Sequence, residues 1–223
     1  MIWVTGDMHG EMSAFKREKI NKIKKNDSLI VCGDFGFVWD GSKEEKRRLK
    51  WIGKRKYTVL FADGCNENFL LLDSYPTVDF AGGKARKISG NLMQLLRGET
   101  YEIDGKVIFV FGGGQNDNKE LVVSKGTLST PESPDRSEVE NGINNLLKYD
   151  NKVDLIVTHD APSSIKGFIN IDDNEQEYIH VTLENFKNTC KFKMWCFGKY
   201  HQDRLIPPYY QQLFEKVMRF NPI

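Results

Sequence analysis

No apolar run in this sequence approaches the roughly 18 residues that a membrane-spanning helix needs. A spanning anchor is therefore not expected. The chain has four cysteines and no CxxC pair, so a disulfide framework does not fit. Cys32 lies in the apolar run Leu29-Ile30-Val31-Cys32 and reads as a small buried hydrophobe. Cys190 and Cys196 flank or enter another strand and read the same way. Excess charge is also missing. Charged residues make up 28% of 223, yet the net charge is +1. That leaves no global pull toward nucleic acid or an anionic membrane. The opening MIWVTGDMHG lacks the basic-then-apolar order of a secretory signal, so the expected location is the cytosol. No repeat, low-complexity tract or linker divides the chain, and its length suits one core.

What is present is a series of strands that end in polar turns. A strand over 1–5 runs into GDMHG, and a basic helix over 11–25 follows, with Phe15, Ile20 and Ile23 apolar. A strand over 28–32 ends in GDFGFVWD, with Trp39-Asp40 placed to line a cleft rim. A charged helix over 42–54 has Ser42 as its N-cap. A strand over 57–62 ends in DGCNEN. Between 75 and 111, short alternating runs broken by glycine pairs predict consecutive antiparallel strands, with Asp104-Gly105 as a hairpin turn. Residues 124–137 read as a loop, 136–149 as a helix and 153–158 as a strand ending in THDAP. Residues 167–177 read as a loop, 181–188 as a helix and 193–197 as a strand ending in GKYHQD. The C-terminal IPPYYQQLFEKVMRF is aromatic and suits either a sheet edge or an interface. The order fits one layered α/β domain over 1–223.

The polar turns hold Asp7 and His9, Asp34, Asp63 to Glu67, His159 and Asp160, and Lys199, His201 and Asp203. Ligands gather at the carboxyl ends of strands in α/β sheets. Three of the four histidines sit at such ends; His180 does not, and reads as structural. Imidazoles with carboxylates are the ligand set of a Zn, Mn or Fe site.

Read in order, GDMHG, VCGDFG, DGCNEN, VTHDAP and FGKYH resemble the motif series of the calcineurin-like metallophosphoesterases. GGK at Gly82 and HDAPSSI at His159 are similar to a small bacterial and phage subgroup. The resemblance implies a four-layer αββα sandwich of two mixed sheets. It also implies hydrolysis of a phosphomonoester, phosphodiester or nucleotide, with two divalent ions that share a hydroxide. By position, the first metal site uses Asp7, His9, Asp34 and His201, with Asp34 as the bridge. The second uses Asp34 and His159, but Cys65 stands where the family has asparagine, and Lys199 where it has histidine. Asn66 replaces the catalytic histidine.

These departures weaken one side of one site. A Lys199 ammonium opposes a second ion, and either grips a phosphate oxygen or points to solvent. Cys65 is an inert turn residue or a thiolate ligand for a softer ion. Asn66 can hydrogen-bond phosphate but cannot shuttle a proton. The Gly112–Gly114 run could offer phosphate the N–H of Gly113, or serve as a tight turn. The expected protein is an impaired or single-metal hydrolase; the alternative is an inactive scaffold for a nucleotide or protein partner, and a homo-oligomer stays open.

Overall fold

The computed structural model describes residues 1–114, 131–169 and 177–221. Strands β1 (Ile2–Thr5), β2 (Ser28–Cys32) and β3 (Thr58–Ala62) run parallel, within a residue of their expected bounds. β2 is apolar on both faces because both faces are covered. Leu29 and Val31 point to an outer helical layer, and Ile30 and Cys32 point to a second sheet. β4 (Thr77–Phe80), β5 (Gly83–Ser89) and β6 (Leu92–Leu95) form an antiparallel meander, and β6 lies parallel to β3. The second sheet contains β7 (Glu99–Ile103), β8 (Lys106–Phe111), β9 (Lys152–Thr158), β10 (Lys191–Phe197), β11 (Arg204–Ile206) and β12 (Tyr210–Gln212).

The sequence reading of 75–111 as one run of antiparallel strands needs correction. β7 and β8 form the expected hairpin across Asp104-Gly105, but β6 and β7 belong to different sheets. The aromatic C-terminal segment is an edge for both sheets. β11 and β12 extend the second, and β13 (Met218–Arg219) crosses over to pair with β1.

The basic helix expected over 11–25 is also broken. It forms a 3₁₀ turn at Met12–Lys16 and a short α1 (Glu18–Asn21), with Arg17 extended between them. Arg17 Nη1 donates to Thr5 Oγ1 at 3.0 Å and to Phe214 O at 3.1 Å. Those distant partners override local helix propensity. α2 (Lys43–Gly53) starts as expected, with Ser42 Oγ accepting from Glu45 N. α3 (Phe69–Asp73) is capped by Asn68, and α4 (Arg136–Leu147) by an Asp135–Glu138 capping box. The loop expected over 167–177 begins inside α5 (Ser163–Ile169); 170–176 lie outside the described residues. So do 124–130 of the other expected loop. α6 (Tyr178–Thr189) precedes β10.

Three apolar clusters define four layers. One fills the space between the sheets, with Val4, Ile30 and Leu60 facing Val110, Leu155 and Cys196. The others pack Phe15, Leu49 and Ile52 on the first sheet and Leu146, Leu183 and Phe186 on the second. The fold is a four-layer αββα sandwich of two mixed sheets. Cys32, Cys190 and Cys196 are buried and free. No helix among the described residues is long and apolar enough to cross a membrane.

Candidate metal centre

The carboxyl ends of β1, β2, β3, β9 and β10 lead into the turns that carry the polar clusters. The turns bring two sets of donor atoms together, each within 4.8 Å: Asp7, His9 and His201, and Asp34, Cys65 and His159. In the first, the Nε2 atoms of His9 and His201 face each other at 3.0 Å. Both converge on Asp7 Oδ2, at 3.8 and 3.3 Å. Asp34 lies between the sets, with Oδ2 4.0 Å from His9 Nδ1 and Oδ1 3.4 Å from His159 Nε2. In the second, Cys65 Sγ is 3.5 Å from His159 Nε2 and 3.9 Å from Asp34 Oδ2. Cys65 Sγ therefore faces the cluster. Lys199 Nζ approaches Cys65 Sγ at 3.7 Å, so its side chain turns toward the second set.

Burial sets the electrostatics. Burial alone would raise the Asp7 carboxyl, but His159 beside it, helped by His201 and the Lys199 N–H, holds it at about 2. Burial works against charge on His159, yet the Asp34 and Asp7 carboxylates raise its pKa well above the usual imidazole range. His201 is raised first by its hydrogen bond to Asp7. Two imidazoles with a carboxylate, and a carboxylate, imidazole and thiol, are both donor sets that suit a divalent transition ion.

The sequence pattern that defines the calcineurin-like phosphoesterases matches residues 1–203. The chain belongs to that family. No curated protein matches it. Among solved structures, the phosphopantetheinyl hydrolase of Mycobacterium tuberculosis is similar at 13% identity and a TM-score of 0.45, covering 96% of this chain and 89% of that one. A calcineurin-like phosphoesterase uses divalent metal, and the donor atoms converge as such use requires.

The rest of DGCNEN braces this phosphoesterase centre. Gly64 leaves the room that the Asp34 carboxylate occupies, since a Cβ there would lie 2.0 Å from Asp34 Oδ1. Asn66 donates from its backbone to Asp34 Oδ1 at 2.9 Å and from its amide to Oδ2 at 2.7 Å. Glu67 is buried and accepts from Phe35 N at 2.7 Å and Gly36 N at 3.3 Å, which fixes the turn holding Asp34. Burial, then the Asp34 charge, push its pKa well up. Asn68 caps α3 and also donates to Trp39 O at 2.5 Å. Asp63 faces away: Arg97 donates Nε and Nη2 to its Oδ2 at 2.8 and 2.6 Å, a buried structural pair.

Other expected residues separate in the same way. Gly113 is not a phosphate cradle, because its N–H donates to Asp63 O at 2.9 Å, while Gly114 N donates to Glu132 O. Asp203 accepts from the backbone of Phe214, Glu215 and Lys216, and holds the C-terminal turn. His180 is buried with Nε2 3.2 Å from Asp160 Oδ2, and Tyr200 donates to Asp160 Oδ1 at 2.6 Å. Burial works against charge on Asp160, but His180, and then Lys199, hold its pKa low. One feature has no sequence signal. His9, Asp34, Lys199 and His201 all have positive φ, between 40° and 62°. Such conformations cost about 1–3 kcal/mol each and persist where surrounding contacts over-determine them.

Proposed function

We propose that this protein, as one domain over 1–223, is a metal-dependent hydrolase of a phosphomonoester, phosphodiester or nucleotide. Asp7, His9, Asp34 and His201 hold one ion, and Lys199 supplies positive charge at the second position. One observation carries this reading: Lys199 Nζ stands 3.7 Å from Cys65 Sγ, beside the second donor set. Unit charges about 4 Å apart interact by roughly 4 kcal/mol at an effective dielectric near 20, and a divalent ion doubles that. An ammonium so placed opposes a second ion and can grip a phosphoryl oxygen as a point charge. When bound, the first ion supplies Lewis acidity and charge neutralisation at phosphorus.

The chain's own groups do the rest. Asn66 holds Asp34 in place through two hydrogen bonds. It can donate to a phosphoryl oxygen but gives no proton to a leaving group, which costs about 10²- to 10⁴-fold in rate. Activated esters are therefore the better substrates. A second reading has Cys65, as thiolate, join Asp34 and His159 around a softer ion such as zinc; the 3.5 Å Cys65–His159 contact favours it.

Metal content per chain, with hydrolysis of p-nitrophenyl phosphate and bis-p-nitrophenyl phosphate in added Mn, separates these readings. The parent is compared with Cys65→Asn/Asn66→His/Lys199→His. One ion and slow turnover in the parent, with two ions and faster turnover in the variant, are expected. Two ions in the parent with brisk turnover overturn the lysine substitution, and two ions that require Cys65 support the thiolate set. A silent parent with an active variant marks a binding scaffold. No metal in either protein refutes the metal centre.

A further inference from the structure

The near-zero net charge hides an uneven distribution. Residues 16–56 carry 14 of the 32 Lys and Arg but 6 of the 31 Asp and Glu, so the remaining chain is acidic. Those six acids leave most of the cations uncompensated. Asp27 and Asp34 are buried, the first against the Met1 ammonium and the second in the donor sets. Glu45 is also buried, and accepts from Trp39 N and Asp40 N at 2.7 and 2.6 Å. Asp40 accepts from Ser42 N at 2.8 Å. Glu18 and Glu44 alone pair with cations of this segment, Lys22 at 2.6 Å and Arg48 at 3.3 Å.

The fold gathers the excess on one face. α2 turns Leu49 and Ile52 onto the first sheet, and its opposite side carries Lys43, Arg47, Lys50 and Lys54. Their spacing of 4, 3 and 4 residues lines them up along three helical turns, a row about 16 Å long at a rise of about 1.5 Å per residue. All four are exposed, and none has an ion-pair partner among the described residues. The helix dipole favours Lys50 and Lys54 near the C-terminal end, but it disfavours Lys43 in the first turn. Like charges three and four residues apart also repel along the row. Helix stability therefore does not account for it. Phe15 packs edge-on to Trp51, with ring centroids 5.7 Å apart, which joins α2 to the segment bearing exposed Lys16 and Lys19.

A polyanion complements this face, and two features narrow its kind. Trp51 is the one large apolar side chain exposed on α2, and the Arg55 guanidinium covers its ring at 3.3 Å from the centroid. It is engaged, and is not offered to a stacking base. With its apolar side committed to the core, α2 has nothing to insert into a lipid surface. What the face offers is charge alone. A duplex presents one phosphate per about 1.7 Å of axis, twice the density of one strand.

We propose that the outer face of α2, with Lys16 and Lys19 beside it, binds the phosphate backbone of a nucleic-acid duplex without regard to sequence. None of these residues belongs to the donor sets, and the inference stands apart from the phosphoesterase reading. Fluorescence anisotropy of a labelled duplex of about 20 base pairs, without added divalent metal, tests it between about 50 and 200 mM salt. The parent is expected to lose affinity by about 100-fold or more across that range, as four or more phosphate contacts require. Lys43→Gln/Arg47→Gln/Lys50→Gln/Lys54→Gln removes most of this salt dependence, and Lys43→Arg/Lys50→Arg/Lys54→Arg keeps it. Lys148→Gln/Lys152→Gln/Lys191→Gln/Arg204→Gln takes the same charge from the second sheet and its helices, and leaves the salt dependence unchanged. No duplex binding by the parent at the lower salt overturns the proposal. So does an equal loss of salt dependence in both glutamine variants, which would reflect net charge and not a face. A single strand that binds more tightly than the duplex overturns the duplex assignment. Sedimentation with phosphatidylserine vesicles, with no duplex binding, gives the face to lipid instead.

Discussion

The two donor sets share contact with Asp34 and differ in almost everything else. His9 and His201 of the first are open to solvent, with side chains 35% and 54% exposed. His159 of the second is fully buried and Cys65 nearly so. Cys65, Asn66 and Lys199, the departures that the motif resemblance implies, all fall on or beside the second set. Buried carboxylates such as Asp7 and Asp34 are expensive without a positive partner. Here the chain provides one in the His159 imidazole, 3.5 Å from Asp7 and 3.4 Å from Asp34. The histidines of the first set face no such demand, since water can solvate their imidazoles, whereas its buried Asp7 leans on His159. The second set is thus balanced by a buried imidazole, while the first set keeps two histidines open to solvent.

Asp34→Asn should erase the distinction, because Asp34 contacts both sets. Its Mn or Zn affinity, measured by titration, is expected to fall by more than the roughly 10- to 100-fold typical of outer-shell partners. Unchanged affinity would remove Asp34 from the centre. His201→Ala isolates the exposed set: first-ion affinity should fall by about 100-fold or more, a ligand loss exceeding outer-shell effects, whereas Cys65→Ala should leave it unchanged. The reverse order would show that the buried set holds the ion. Glu67→Ala is the smallest change. It leaves the N–H groups of Phe35 and Gly36 unpaired and should cost about 1–3 kcal/mol by urea unfolding. A cost under about 0.5 kcal/mol, the range of an ordinary surface change, would mean the Asp34 turn holds without it.

The ligand-bearing turns were legible in the sequence because each follows a short apolar strand and contains residue types with few bland uses. The four layers were legible through family resemblance, and the outer strand–helix units through periodicity. Other features depend on contacts distant in sequence. Arg17 leaves helical geometry to reach Phe214, and β6 and β7 part because each pairs with a different sheet. Cys65 shows no histidine in its own motif, yet His159, 94 residues away, lies against it. The Glu45 and Asn68 clamps on Trp39 come from a helix's first turn and a helix cap, which local patterning assigns to helix ends alone.

The 3.0 Å approach of His9 to His201 spans 192 residues. Closing so long a loop carries an entropic cost that local pairings do not meet. A nascent chain with its first strands paired still lacks half of this imidazole pair, and gains it only when the turn after β10 docks. The exposed donor set therefore exists only where the two ends of the chain meet: the turn after β1 or the turn after β10 alone brings a single imidazole, and chelating geometry needs both.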